Sequence, residues 1–132
     1  MNDAIICELP PGYYLIGDPS NFIDESKWDS FVDLIYSESQ DIANKIIQDP
    51  DTKKQFVAFY TYHGDGMFED NEGNCYPVDS SIIACIPREL SKEPNPPLGN
   101  LFEFKTPFEC VNKNGMLYFG HIKINTKIQV DL

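Results

Sequence analysis

Apolar positions recur along this chain with two different periods. Trp28, Phe31, Val32 and Ile35 return at helical spacing opposite Asp29, Ser30 and Asp33, which predicts an amphipathic helix. Asp24 or Ser26 caps it, with acids in the first turn where the helix dipole favours them. Ile42, Ala43, Ile46 and Ile47 repeat the spacing and predict a shorter second helix. Asp49-Pro50-Asp51 ends it, because the residue before a proline is pushed out of the helical region. Ahead of these helices, Ile5-Ile6-Cys7-Glu8-Leu9 and Tyr13-Tyr14-Leu15-Ile16 predict two short strands separated by Pro10-Pro11-Gly12. Gly17-Asp18-Pro19-Ser20 is a turn in which Asp18 hydrogen-bonds back onto the chain.

From Phe56 the pattern changes to strand. Phe56-Val57-Ala58-Phe59-Tyr60-Thr61-Tyr62 is rich in aromatic and β-branched residues and reads as a buried strand. Met67-Phe68-Glu69 and Asn74-Cys75-Tyr76-Pro77-Val78 flank Asp70-Asn71-Glu72-Gly73, a hairpin signal. Ser81 to Ile86 is the next strand, stopped by Pro87. Residues 91–100 form a proline-rich connection inside the domain. Leu101 to Lys105 alternates, Phe108 to Val111 follows Pro107, and Asn112-Lys113-Asn114-Gly115 turns the chain into a return strand from Met116 to Asn125. Ile122, Ile124 and Ile128 are assigned to one face, Lys123 and Lys127 to the other. The expected architecture is a single α+β domain over 1–132, an antiparallel sheet rolled into a half-open barrel with two helices packed against it.

Composition narrows the function classes. A chain of 132 residues, 42% hydrophobic and 13% aromatic, can bury a core without staples. Its longest apolar stretches are far too short to span a bilayer as a helix, and Met1-Asn2-Asp3 has no basic patch before an apolar run, so a cytoplasmic location is expected. Cys7, Cys75, Cys85 and Cys110 include no Cys-x-x-Cys pair, which predicts reduced, mostly buried thiols and no cysteine metal site. The net charge of −11 is uneven: residues 1–51 carry eleven acids and two lysines, the remainder ten acids and eight bases. Binding a phosphate backbone or an anionic membrane needs clustered Lys and Arg, so neither is an expected partner. A basic protein is the expected one.

The candidate chemistry sits in three places. Asp65, Asp70 and Asp79 form an organised loop region near His63, but an EF-hand match fails at positions six and twelve, so the expectation is turn hydrogen bonds and no metal or cofactor. His63 and His121, with Tyr62 and Tyr76, are the candidates for a pocket. There a small His/Asp or metal-dependent hydrolase is one alternative, and a ligand-sequestering protein lined by Phe59, Tyr62, Phe68 and Tyr76 another. No nucleophile elbow, Walker loop or dinucleotide fingerprint is present, and no catalytic residue is assigned. Asp24, Glu25, Asp29 and Asp33 fall close together at helical spacing as an acidic contact face.

Taken together, Tyr13-Tyr14-Leu15-Ile16-Gly17-Asp18-Pro19, Trp28-Asp29-x-Phe31, Gly64-Asp65-Gly66, Asp70-x-x-Gly73-x-x-Tyr76-Pro77-Val78-Asp79-Ser80 and Ile86-Pro87-x-Glu89-Leu90 resemble a group of small uncharacterised bacterial, phage and prophage proteins. The resemblance covers roughly residues 10–90, with Phe119-Gly120-x-Ile122-x-Ile124-Asn125-Thr126 fitting as well. Where the pattern has glycine after Asp79-Ser80 this chain has Ser81, which argues against a positive-φ turn there. The group implies no activity and no functional residues. It implies a phage-related, cytoplasmic setting, and with the acidic face it leads to a non-enzymatic protein-binding module that modulates a host protein.

Overall fold

The computed structural model describes residues 5–36, 45–93 and 98–130. Among these residues the strands are β1 (Ile5–Leu9), β2 (Gly12–Gly17), β3 (Lys45–Gln48), β4 (Gln55–Tyr60), β5 (Gly66–Glu69), β6 (Cys75–Val78), β7 (Ile82–Pro87), β8 (Asn100–Phe104), β9 (Phe108–Lys113), β10 (Met116–Phe119) and β11 (Ile122–Asn125), and the α-helix is α1 (Trp28–Tyr36). Every pairing is antiparallel. Expected as one rolled sheet, the strands divide among three: a central sheet β3-β4-β7-β2-β8, a second sheet β1-β9-β10-β11, and the hairpin β5-β6. Among the described residues there is no closed barrel.

The inner strands β2, β4 and β7 of the central sheet are covered on both faces, which is why they read as nearly continuous apolar runs, while the edge strand β8 alternates. Side chains alternate across a strand, so Tyr14, Ile16, Val57, Phe59, Ile83 and Cys85 point to one side, into a core shared with the second sheet and the hairpin. Leu15, Phe56, Ala58, Ile82, Ala84 and Ile86 point to the other, beneath α1. There Trp28 stacks on Phe31 and Phe31 on Phe56, with ring centroids 5.7 and 5.2 Å apart. Phe31 and Ile35 are buried while Asp29, Ser30 and Asp33 are exposed, so the helical stripe lies where its spacing placed it. Asp24 caps a 3-10 turn at Glu25–Lys27 that runs directly into α1.

Three expectations need correction. The second helix is not present over Lys45–Gln48: this segment is strand β3, while residues 42–44 lie outside the described ones. Two consecutive isoleucines fit a helical stripe and a strand equally well in so short a window. Pairing with β4 decides, with Ile46 opposite Val57 and Ile47 opposite Phe56, so that the two side chains serve different cores. Asp49-Pro50-Asp51 therefore opens a hairpin turn, closed by Asp49 N–H to the Lys54 carbonyl at 2.8 Å. The return strand from Met116 to Asn125 is two strands, β10 and β11, broken at Gly120, whose φ of 60° suits glycine. Ile128, assigned to the buried face with Ile122 and Ile124, is 60% exposed.

The turn read over Asn112 to Gly115 is tighter than expected, because Asn112 and Lys113 belong to β9 and only Asn114 and Gly115 reverse the chain. Lys113 pairs with Met116 across it, and both turn residues have positive φ (51° and 92°), the geometry favoured in two-residue hairpins. Glycine is required at 115 on a second count, since a Cβ there would lie 2.7 Å from Cβ of Tyr62.

Candidate functional site

The polar motifs converge on two buried carboxylates. Asp18, at the end of β2, is 1% exposed. Its Oδ1 accepts from Ser20 N–H (2.9 Å), Ser20 Oγ (2.8 Å) and Ser80 Oγ (2.7 Å). Its Oδ2 accepts from the backbone N–H groups of Asp79 (2.6 Å) and Ser80 (3.1 Å). The local half of this network caps the 3-10 turn at Pro19–Asn21, as the Gly-Asp-Pro-Ser turn chemistry anticipates. The other half crosses sixty-one positions of sequence to hold the loop between β6 and β7. Sequence reasoning gave Asp18 a turn role only. The signal available was the pairing of two Asp-containing motifs, but nothing local says that one receives the other.

Asp70 closes the hairpin β5-β6 and is 6% exposed. Oδ1 accepts from Glu72 N–H (2.8 Å) and Asn74 N–H (3.0 Å); Oδ2 accepts from Asn74 Nδ2 (3.0 Å) and the Tyr76 hydroxyl (2.6 Å). Burial raises its pKa, but the hydrogen bonds from Tyr76, Asn74 and Glu72 together outweigh that and hold the carboxyl below its usual range. Burial and the Asp70 carboxylate push the Tyr76 phenol far up, so it remains a donor. The turn docks on the edge of the second sheet through Asn71, whose Oδ1 accepts from Lys123 N–H (2.9 Å) and whose Nδ2 donates to the His121 carbonyl (3.1 Å). That covers an otherwise open strand edge, β11.

The other candidates fall into place around these two. Asp65 accepts a 3.0 Å bond from Ser81 Oγ. Ser81 has φ of 64°, so the positive-φ turn expected to fail without glycine is present with serine, and its hydroxyl is tied to Asp65 across the loop. Asp79 is exposed and takes part in the Asp18 network through its backbone alone. Asp24, Glu25, Asp29 and Asp33 are all exposed on the outer side of the Glu25–Lys27 turn and α1. Hydrogen bonds from Ser26 N–H and Oγ depress the Asp24 carboxyl.

The pocket candidates do not share one environment. His63 Nε2 lies 2.6 Å from the Lys127 carbonyl oxygen, beside the exposed Tyr62 ring. His121 Nε2 lies 3.6 Å from Glu72 Oε2, with both side chains about half exposed, a pair that solvent screens. Phe59, Phe68 and Tyr76 are core residues at 0–1% exposure and line no opening. A shallow cleft of about 180 Å³ lies elsewhere, between Pro10, Pro11, Tyr13, Lys53 and Glu89. Ligand pockets are commonly about 300–1,000 Å³, so this one is small for a ligand that must be enclosed. Among the described residues no group of three or more His, Cys, Asp or Glu is placed to hold a metal, and no helix is long and apolar enough to cross a membrane.

No protein-family model, curated protein or solved structure matches the chain.

Proposed function

We propose that this protein works by binding another protein, with the acidic outer side of the Glu25–Lys27 turn and α1 meeting a basic surface. The supporting observation is the division of labour among carboxylates. Asp18 and Asp70 are buried and each accepts several hydrogen bonds from its own chain, whereas Glu25, Asp29 and Asp33 stand exposed, with Asp24 bonded only to Ser26 beside them, on a segment anchored from behind by Phe31 and Ile35. Carboxylates saturated with donors are poor general bases, which favours contact over turnover. A rigidly backed helix presents charge at little conformational cost on association. A half-open roll of the sheets behind the helix, a cytoplasmic location and a phage or mobile-element role in modulating a host protein belong to the same proposal; the last rests on the resemblance of residues 10–90.

The test is affinity capture from host lysate with wild-type protein and the double variant Asp29→Lys/Asp33→Lys. Specific partners should be basic, should elute as salt rises, and should be lost with the variant. Capture of the same proteins by both would refute the acidic face as the contact.

A further inference from the structure

Three of the four cysteines, unconnected by any spacing in the sequence, gather in the core between the central and second sheets. β1 pairs with β9 so that Cys7 stands directly opposite Cys110. Opposed residues on antiparallel strands share a face, and both thiols join the core that also holds Cys85. Cys85 and Cys110 are fully buried in that core; Cys7 is half-buried at the rim. The two-residue turn between Lys113 and Met116 directs the backbone groups of Cys110 toward β1, so Cys7 and Cys110 are a hydrogen-bonded pair, with Cα atoms about 5.5 Å apart. That lies within the roughly 4.4–6.8 Å of a disulfide, while the Cβ atoms must draw in by about 1 Å for the bridge to close.

We propose that Cys7 and Cys110 form an oxidation site, a dithiol that closes to a cross-strand disulfide and locks the edge strand β1 onto β9. The oxidant is a low-molecular-weight disulfide. Cys7, the accessible member, loses its proton and attacks one sulfur of that disulfide, forming a mixed disulfide and expelling one small thiolate. The Cys110 sulfur, also deprotonated, then attacks Sγ of Cys7 and expels the second. Two protons and two electrons pass from the protein to the small disulfide, which leaves as two thiols. Burial, with Cys110 alongside, pushes the Cys7 thiol up, so thiolate is scarce and closure is slow. A slow closure that ties an N-terminal strand across roughly 100 residues of chain is a lock and not a rapid sensor.

The experiment uses full-length Cys75→Ser protein, which removes the one exposed thiol, incubated natively with excess oxidised glutathione. Non-reducing peptide mapping should give a linked pair containing Cys7 and Cys110, two hydrogens lighter, with no glutathione retained. The thermal midpoint should rise by about 10 °C, return on addition of dithiothreitol, and stay unmoved in Cys7→Ser/Cys75→Ser protein, a substitution at a half-buried rim position. Three results would overturn the assignment: native protein that stays reduced while its denatured form oxidises, a Cys85–Cys110 link in place of the expected one, or glutathione left on Cys7.

Discussion

The carboxylates of the β-rich body and those of α1 are the same chemical group in opposite situations. Asp18 and Asp70 are buried, and nine hydrogen bonds between them hold three loops. Asp29 and Asp33 lie in water on a helix whose position is set by the apolar side chains behind it. The difference teaches that acid content says little about role until donors are counted. A buried carboxylate ringed by N–H and O–H groups is a structural joint, and removing it strands its donors. An exposed one is replaceable as far as the fold is concerned, and therefore free to serve recognition.

The sharpest break of this contrast is Asp18→Ala. It leaves the N–H groups of Asp79 and Ser80 and two serine hydroxyls without their acceptor, and urea denaturation should show a loss of about 3 kcal/mol. A loss below about 1 kcal/mol would place Asp18 with the solvent-exposed acids. Tyr76→Phe is next: it removes the 2.6 Å donor to Asp70 while keeping the ring in the core, at an expected cost of about 2 kcal/mol.

Acid titration sharpens the same point without mutation. The Asp70 carboxyl is depressed in the folded protein, so its contribution is fully present above the unfolded value near ~3.9 and is lost as pH falls further, through the folded pKa. The stability of wild-type protein should therefore decline below about pH 4, and Tyr76→Phe should decline less steeply there because one of the depressing bonds is gone. Equal slopes would remove Asp70 from the account. The smallest effect is expected of Asp29→Lys/Asp33→Lys, which should change stability by less than about 1 kcal/mol, most of it from reversing a charge in the first helical turn.

Legibility followed sequence distance. The stripe of α1, a turn ending at Gly115 and the hairpin turn at Asp70 to Gly73 are each carried by residues within a few positions of one another, and each is present in the structure, the first turn confined to Asn114-Gly115. Apolar residues at Ile42, Ala43, Ile46 and Ile47 offered two periods at once, and at Ile46 and Ile47, which lie among the described residues, the free edge of β4 chose strand. Of the loop acids only Asp70 makes the expected turn bonds, and Asp18 was missed as the centre of the site because its partners at Asp79 and Ser80 come from the far side of α1 and strands β3 to β6.

By itself, then, the chain's order of residues determined the stripe of α1, the turn chemistry at Asp18 and at Asp70 to Gly73, and that an acidic helix face would look outward. Which strands neighbour which, that Asp18 receives the Asp79-Ser80 loop, and that Cys7 faces Cys110 were decided only in three dimensions. The physical reason is that turn geometry and side-chain periodicity act through adjacent backbone dihedrals. Register and buried hydrogen bonding depend instead on surfaces that exist only once the sheets have packed.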